Sequence, residues 1–433
     1  MKTFSSIFNT LNKPLIVAIV VLVIFLRAPN LFYDPRFWAE EAFVYYATAH
    51  KLAGFEALLA PHMGYYSLWS NMAGYLASLL PMAQAPYATL LMSLLAQLIP
   101  VALILAARIP VGLWARCLMI AAYVLVTPTG EVWLNTINSQ FFFAISAALM
   151  IALPDPGKQS RVQVVLLFLM GLSSPVVCFL GLVALIAFLQ ERSPYRLEQL
   201  WALGLATLIQ IGVIVSVPQG GRITEFDLAT FFVYGVRQIT LLFTGFFPAR
   251  LLVDFAEPQL AAGTFGIINT VIFASVYCGF TFLLYKLTPY YLRRIVLASV
   301  ILSFFMSIAA LGDQALILTI YERYYTPPTL LFAIALASVA VTQSDWIGWI
   351  AAAGLTCAVG IGSLHYFFGG KELFSGPSWA AEVEDYAHNP LDPIVIWPSF
   401  WVFRPEDPIS EVGSWPSVEE VRQFGATRLD GMQ

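Results

Sequence analysis

The sequence predicts an all-α fold, a polytopic bundle of about eleven transmembrane helices. Of the 433 residues, 59% are hydrophobic and only 11% are charged, and the mean hydropathy is +0.77. Soluble domains carry about 25% charged residues. Apolar runs long enough for a bilayer recur along most of the chain. These observations indicate an integral membrane protein.

The apolar runs of crossing length define most of the predicted spans. They cover residues 13–26, 87–107, 111–126, 137–153, 200–217, 265–285, 291–311, 325–341 and 346–364. The first run lacks a small-residue cleavage site, so we expect it to stay as an anchor. Two shorter runs, 162–172 and 176–189, flank a break at Gly171-Leu172-Ser173-Ser174-Pro175. We interpret them as two short helices that cross and return, with their ends covered by neighbouring helices.

Two further apolar segments, residues 65–80 and 231–247, are expected to lie at the outer membrane interface. The first contains Tyr, Trp and Gly and the second Phe, Tyr and Gly, a composition that suits this layer. Arg237 in the second argues against a lipid-exposed span. Counting either segment as a crossing would also move basic loops to the outer side.

The basic residues set the predicted orientation, with the amino terminus inside and the carboxyl terminus outside. Half of the 22 Lys and Arg residues lie in short inner loops: Lys2, Lys13, Arg108, Arg116, Lys158, Arg161, Arg192, Arg196, Lys286, Arg293 and Arg294. Few of the 26 acids join them: Asp155, Glu191, Glu198 and Asp345. The polar chemistry is therefore predicted on the outer face, in a module of residues 1–366 followed by a small outer tail, 367–433. The cysteines lie apart in apolar runs, which favours packing over disulfides or metal ligation.

The first outer loop, residues 30–86, begins with an acidic and aromatic run that contains Asp34, Glu40 and Glu41. Adjacent residues on a helix point about 100° apart, so only one of the two glutamates can face a given site squarely. Mutual repulsion and burial would raise one carboxyl pKa, which suits a general base. The alternative is that these acids cap or solvate an interfacial helix that begins near Phe37, and Asp34 fits that alternative best.

Other polar residues of the outer segments are candidates for substrate binding. The first loop supplies Trp38, His62 and Tyr65, and residues 127–140 supply Glu131, Asn135, Asn138 and Gln140. The amides and Glu131 suit sugar hydroxyls or a divalent cation, or they cap a span. Arg323, next to Tyr324, and Arg27 lie at outer ends of spans, where a guanidinium can bind a lipid phosphate with forked hydrogen bonds. Snorkelling to the headgroup layer is the alternative for both arginines.

The order of Phe25-Leu26-Arg27, a short spacer, an acidic pair and aromatic residues resembles the polytopic GT-C glycosyltransferases. That superfamily includes oligosaccharyltransferases, protein O-mannosyltransferases and aminoarabinose transferases. The Ser173-Ser174-Pro175 break and the Glu322-Arg323-Tyr324-Tyr325 run are also similar to its bacterial members. The acidic pair is Glu-Glu instead of the common Asp-Glu. The Trp-Trp-Asp motif of the oligosaccharyltransferases is absent, which argues against peptide acceptors.

The resemblance implies an enzyme that moves a sugar from a polyprenyl-phosphate donor to an envelope glycan, lipid or protein. It implies a catalytic acid in the first outer loop, an active site on the outer face of a bacterial cytoplasmic membrane, and a divalent cation in some members. Nothing in the sequence suggests a nucleic-acid partner. The alternatives are a polysaccharide or O-antigen polymerase or ligase, which usually has its large outer loop late in the chain, and a flippase or transporter of lipid-linked sugars. A transporter would favour charges within spans and inverted repeats, and neither is visible.

Overall fold

The computed structural model describes residues 13–52, 54–62, 64–126, 130–216, 228–245, 248–252, 254–255, 267–311, 322–369, 374, 376–390, 392–398 and 401–404. Parts of the predictions lie outside these ranges. They include the inner residue Lys2, residues 127–129 of the second outer segment, most of the third outer segment (313–321) and the tail after Arg404.

The described chain is predominantly helical, which confirms the all-α prediction. In chain order the helices are α1 (Lys13–Arg27), α2 (Asn30–Tyr33), α3 (Ala47–Lys51), α4 (Phe55–Leu59), α5 (Leu68–Ser78), α6 (Pro86–Ala106), α7 (Leu113–Leu125), α8 (Ser139–Ala152), α9 (Ser160–Ser173), α10 (Pro175–Cys178), α11 (Gly181–Glu191), α12 (Pro194–Ser216), α13 (Leu228–Thr244), α14 (Ile267–Leu287), α15 (Arg293–Phe305), α16 (Thr326–Thr342), α17 (Trp346–Phe368) and α18 (Trp379–His388). Shorter turns are π-helical at Glu41–Tyr46 and Met306–Leu311, and 3-10 at Met82–Gln84, Gly157–Gln159 and Glu322–Tyr325. Strands β1 (Ile394–Ile396) and β2 (Trp401–Phe403) form an antiparallel hairpin.

Five of the described helices are long and apolar enough to cross a membrane, which indicates a membrane protein. They are Met82–Ala106, Pro194–Ser216, Ile267–Leu287, Arg323–Thr342 and Trp346–Phe368. The predicted number of about eleven spans is not confirmed. Four other apolar helices, Leu113–Leu125, Ser139–Ala152, Pro175–Glu191 and Leu228–Thr244, are shorter. A helix of this kind is about 20–25 Å long, less than the roughly 30 Å of a hydrocarbon core.

Helices α8 and α16 form the centre of the bundle. Every residue of α8 except Gln140 is buried, and α16 is buried from Thr326 to Val339. A helix that is apolar all round needs such a position, because neighbouring helices must cover every face. In contrast, α14 exposes Ile267, Ile268 and other apolar side chains, as expected for a helix that faces lipid.

The predicted break between the two short helices is confirmed. Helix α9 ends at Ser173, Ser174 is extended with φ −157° and ψ 115°, and α10 begins at Pro175. Proline suits the first position of a helix because its missing N–H has no partner there in any case.

The two apolar segments assigned to the interface are both helical. Helix α5 packs against the π-helical turn of the first loop and against α6. Gly74 allows this close approach, because a Cβ at that position would lie 2.6 Å from the carbonyl oxygen of Tyr45. Helix α13 packs against α14, α15, α16 and α17, and Arg237 on it is fully buried.

The described part of the tail packs on the first outer loop. Trp379, Ile396 and Phe403 of the tail share a hydrophobic cluster with Phe37 and Tyr46 of the loop. This cluster is separate from the main core of the bundle. Helix α18 and the β1–β2 hairpin therefore lie beside the acidic run.

Candidate active site

The acidic run folds into a tight turn, Trp38 to Glu41, at the start of the π-helical segment. The N–H of Glu41 donates to the carbonyl of Trp38 at 2.8 Å, and the N–H of Trp38 donates to Oε2 of Glu41 at 2.8 Å. Ala39 has a φ of +41°, a left-handed conformation that costs a non-glycine residue roughly 1–2 kcal/mol. Main chain and side chain together hold the turn in this conformation.

Glu41 connects this turn to the second outer segment. The residue is 1% exposed, and its Oε1 accepts hydrogen bonds from the N–H and the hydroxyl of Thr136, at 2.5 and 2.7 Å. Burial raises the pKa of Glu41 to about 7, although the hydrogen bonds from Thr136 and Trp38 oppose the shift. Because protein donors occupy both oxygens, the geometry favours a role for Glu41 in joining the two segments.

Glu131 and Arg323 form an ion pair between the second and third outer segments. Their side chains are 20% and 26% exposed, so the pair is partly open to solvent. Glu40 is half-buried and close enough for its charge to act on both partners. The pKa of Glu131 is raised, chiefly by burial and to a smaller extent by Glu40, while Arg323 opposes the shift. Charged groups from three outer segments thus meet at one place.

The predicted amides of the second outer segment fold the segment itself. Nδ2 of Asn135 and Nδ2 of Asn138 both donate to the main-chain carbonyl of Glu131, at 2.7 and 2.9 Å. Oδ1 of Asn135 accepts from the N–H of Asn138 at 2.9 Å. Both asparagines are buried. They fix the backbone that carries Glu131. The half-buried Gln140 accepts a hydrogen bond from Ser174 on its main-chain carbonyl, at 3.4 Å.

Tyr324 and Tyr325 link the ion pair to helix α13. The guanidinium carbon of Arg323 lies 5.3 Å from the ring centre of Tyr324, and the carbonyl of Tyr324 accepts a hydrogen bond from the hydroxyl of Tyr234 at 2.6 Å. Arg237 lies 3.6 Å from the ring centre of Tyr325 and donates to its hydroxyl. The buried arginine of α13 therefore supports the segment that carries Arg323.

Arg27 lies between two aromatic rings at the end of α1. Its guanidinium carbon is 4.3 Å from the ring centre of Trp133 and 4.5 Å from that of Tyr366. The residue is 3% exposed, so a snorkelling side chain is excluded. Within the described ranges, Nη1 of Arg27 has no hydrogen-bond partner and no carboxylate forms a salt bridge with it.

Asp34 and Trp38 both contact the tail. The two carboxylate oxygens of Asp34 accept the N–H of Trp379 at 2.9 and 3.1 Å. Asp34 thus lies at the first turn of α18, where a carboxylate is favourable. Trp38 is 5% exposed and forms a parallel bridge with Trp397. These contacts give both residues structural roles.

His62 and Tyr65 form a small hairpin in the first loop. Their main chains exchange hydrogen bonds of 3.1 and 3.0 Å, and the ring of His62 packs edge-on against Tyr45 with centroids 5.1 Å apart. Burial lowers the pKa of His62 to about 4, so the imidazole is neutral at physiological pH. Tyr65 lies close to Tyr45.

Three residues with central positions were not predicted as site residues. Thr136, Trp133 and Trp397 hold Glu41, Arg27 and Ala39 respectively. The polar and aromatic composition of residues 127–140 could have indicated Thr136 and Trp133 as site residues. The sequence around Trp397 has no feature that would have indicated it.

Among the residues that the structure describes, no three His, Cys, Asp or Glu side chains gather into a group that could hold a metal ion. The chain matches no protein-family model, no curated protein and no solved structure.

Proposed function

We propose that this protein is a GT-C-type membrane glycosyltransferase that transfers a sugar from a polyprenyl-phosphate donor to an envelope glycan, lipid or protein. The observation that carries the proposal is the meeting of Glu40, Glu131 and Arg323, which come from three separate outer segments. A partly open site with two carboxylates and a guanidinium offers both a proton acceptor and a phosphate ligand.

Glu40 is the proposed general base. In the turn, Trp38 and Glu41 are buried and Ala39 has only a methyl group, whereas Glu40 keeps partial access to solvent. The acceptor hydroxyl gives its proton to Glu40, and its oxygen forms the new bond to the anomeric carbon of the donor sugar. The bond from that carbon to the phosphate oxygen breaks, and polyprenyl phosphate leaves with the electron pair. A positioned base typically contributes about 10²–10⁴ in rate.

Arg323 is the proposed ligand of the donor phosphate. Glu131 orients the guanidinium, which also forms a side-chain hydrogen bond with Tyr324. A guanidinium has five N–H donors, enough to bind phosphate oxygens beside these two partners. Stabilising the leaving phosphate acts on charge that develops in the transition state. Arg27 is the second candidate, because its buried charge has no carboxylate partner among the described residues.

The finer topology is part of the same proposal. With about eleven crossings and the amino terminus inside, the three segments that meet at the ion pair all lie on the outer face. The five long helices reach this number together with α1, α7, α8, α9, α11 and α15, if neighbouring helices cover the ends of these shorter ones. In a bacterium the site then faces the periplasm or exterior, away from cytoplasmic nucleotide sugars. A lipid-linked donor suits that location.

The test uses the purified protein with polyprenyl phosphates that carry different radiolabelled hexoses and pentoses, together with an envelope extract as acceptor. We expect the label to move from one donor to the extract, and no transfer from the matching nucleotide sugar. Transfer from the nucleotide sugar would contradict the proposal. So would passage of intact donor across proteoliposomes without any cleavage, which is the behaviour of a flippase.

A further inference from the structure

The turn that carries Glu40 is hydrogen-bonded on one edge to the carboxyl-terminal tail. The N–H of Ala39 donates to the carbonyl of Trp397 at 2.5 Å, and the N–H of Trp397 donates to the carbonyl of Phe37 at 3.0 Å. The two bonds are made by Phe37 and Ala39, the residues on either side of Trp38, and Ala39 is the residue with a φ of +41°. The tail therefore contacts the backbone immediately before Glu40.

The tail is itself held against the first loop at several points. Asp34 accepts the N–H of Trp379, and the Trp379 indole donates to the carbonyl of Met82 at 3.0 Å. Asn30 donates to the carbonyl of Phe374 at 3.0 Å. Trp379 is 2% exposed and packs edge-on against Phe37, with ring centres 5.5 Å apart. Loop and tail share one packed unit although they lie at opposite ends of the chain.

We infer that the tail is a positioning element for catalysis: Asp34 and Trp397 hold the Trp38–Glu41 turn so that Glu40 faces the Glu131–Arg323 pair. The inference rests on the proposed function and adds a role that the acidic motif alone does not contain. Ala39 adopts an unfavourable backbone conformation, and such a conformation persists only where surrounding contacts determine it. Loss of the two bonds to Trp397 removes support on the tail side of the turn, whereas its internal bonds and those to Thr136 remain.

Detachment of the tail should affect the rate of sugar transfer more than the binding of the donor. The Glu131–Arg323 pair joins the second and third outer segments, so we expect the proposed phosphate site to stay in place when the tail detaches. Glu40 would move relative to the acceptor hydroxyl, and a displacement of about 1 Å at a reacting group can cost roughly 10²-fold in rate. Loss of the tail contact should therefore lower kcat and leave the donor KM almost unchanged.

The test compares the full-length parent with Asp34→Ala and with Asp392→Ala, a control in an exposed acid of the tail. Hydrogen–deuterium exchange is followed in peptides that cover residues 37–41 and in peptides of α8. We expect Asp34→Ala to raise exchange in residues 37–41 but not in α8, and to lower kcat by about tenfold to a hundredfold with little change in KM. Asp392→Ala should match the parent in both measurements.

A cross-linked variant separates positioning from general damage. Oδ1 of Asp34 and the hydroxyl of Ser378 are 3.4 Å apart, so we choose Asp34→Cys with Ser378→Cys for a disulfide, in a background whose native cysteines are alanine. The oxidised form should recover the parent kcat, and the reduced form should resemble Asp34→Ala.

Unchanged hydrogen–deuterium exchange in residues 37–41 of Asp34→Ala, or a parental kcat in that variant, would overturn the inference. So would an oxidised form that stays slow. If the parent transfers no sugar from any donor, the proposed function fails, and the role of the tail in positioning Glu40 for transfer fails with it. Hydrogen–deuterium exchange in residues 37–41 then shows separately whether the tail holds the turn.

Discussion

The side chain of Glu41 and the residue Thr136 connect the first outer loop to the second through two hydrogen bonds, 2.5 and 2.7 Å long, onto one carboxylate oxygen. The other oxygen closes the turn of Glu41 through the N–H of Trp38. One buried carboxylate thus fixes both the shape of the acidic turn and its position relative to Glu131. Its neighbour Glu40 is left with partial solvent access beside the ion pair.

Replacement of Glu41 by Gln should change how stability depends on pH. The pKa of the folded carboxyl is raised from 4.5 to about 7, so between these pH values the folded state binds a proton that the unfolded state has lost. The free energy of unfolding then falls as pH rises from about 4.5 to about 7. At roughly 1.4 kcal/mol per pKa unit, the fall is on the order of 3 kcal/mol.

The measurement for Glu41 is the thermal unfolding midpoint in detergent at pH 5 and pH 8. The parent should lose stability between the two values. Glu41→Gln should lose less stability between pH 5 and pH 8, because its amide is uncharged at both pH values. An equal loss in parent and variant would show that Glu41 does not titrate in this range.

The Glu131–Arg323 pair should behave as a coupled unit. Glu131→Gln leaves a partly buried guanidinium without its partner, and Arg323→Gln does the same to the carboxylate, so each single variant should lower the unfolding midpoint. The double variant should be less destabilised than the sum of the two. In a double-mutant cycle we expect a coupling of about 0.5–3 kcal/mol. Additivity within about 0.5 kcal/mol would mean that the pair contributes nothing specific.

Arg27→Lys should destabilise the protein although the charge is kept. A guanidinium is planar and stacks between Trp133 and Tyr366, whereas an ammonium is compact and strongly hydrated. We expect a loss of about 1–2 kcal/mol, the size of a desolvated cation–π contact. Arg161→Lys, at an exposed position, is the matched control and should be neutral. Equal unfolding midpoints for the two variants would contradict the stacked position of Arg27.

Single cysteines at exposed positions should report the orientation of the chain. In a background without the native cysteines, Glu56→Cys and Glu384→Cys should react with an impermeant maleimide in intact spheroplasts. Arg192→Cys and Ser344→Cys should react only after permeabilisation. All four positions are exposed, so burial does not limit labelling. Protection of Glu384→Cys together with reaction of Arg192→Cys would reverse the proposed topology of the later helices.

The helices were predictable because their signal is local. Each apolar run falls on a helix, and the Ser173–Pro175 break appears where proline cannot continue a preceding helix. The number of crossings was not settled by the same signal. Run length alone does not tell whether a helix of about 13–17 residues, such as α7 or α8, crosses the membrane or lies within the bundle.

The arrangement of the site depended on contacts that leave no local pattern. Helical geometry indicated that only one of Glu40 and Glu41 could face a site, but Ala39 and Thr136 decide which one is buried. Asp34 accepts an N–H from Trp379, 345 residues later in the chain. Neither hydropathy nor spacing marks such a partner, so the packing of the tail against the acidic loop appeared only in the structure.

The central claim is that Glu40 acts as the base of a sugar transfer, and the turnover of Glu40→Gln with a polyprenyl-phosphate sugar tests it most directly. Glu56→Gln, an exposed glutamate of the same loop, is the matched control. Glu40→Gln should lose about 10²–10⁴ in turnover while it keeps the parent's unfolding midpoint and donor affinity, and Glu56→Gln should match the parent in all three. Turnover of Glu40→Gln within a few-fold of the parent would contradict the account.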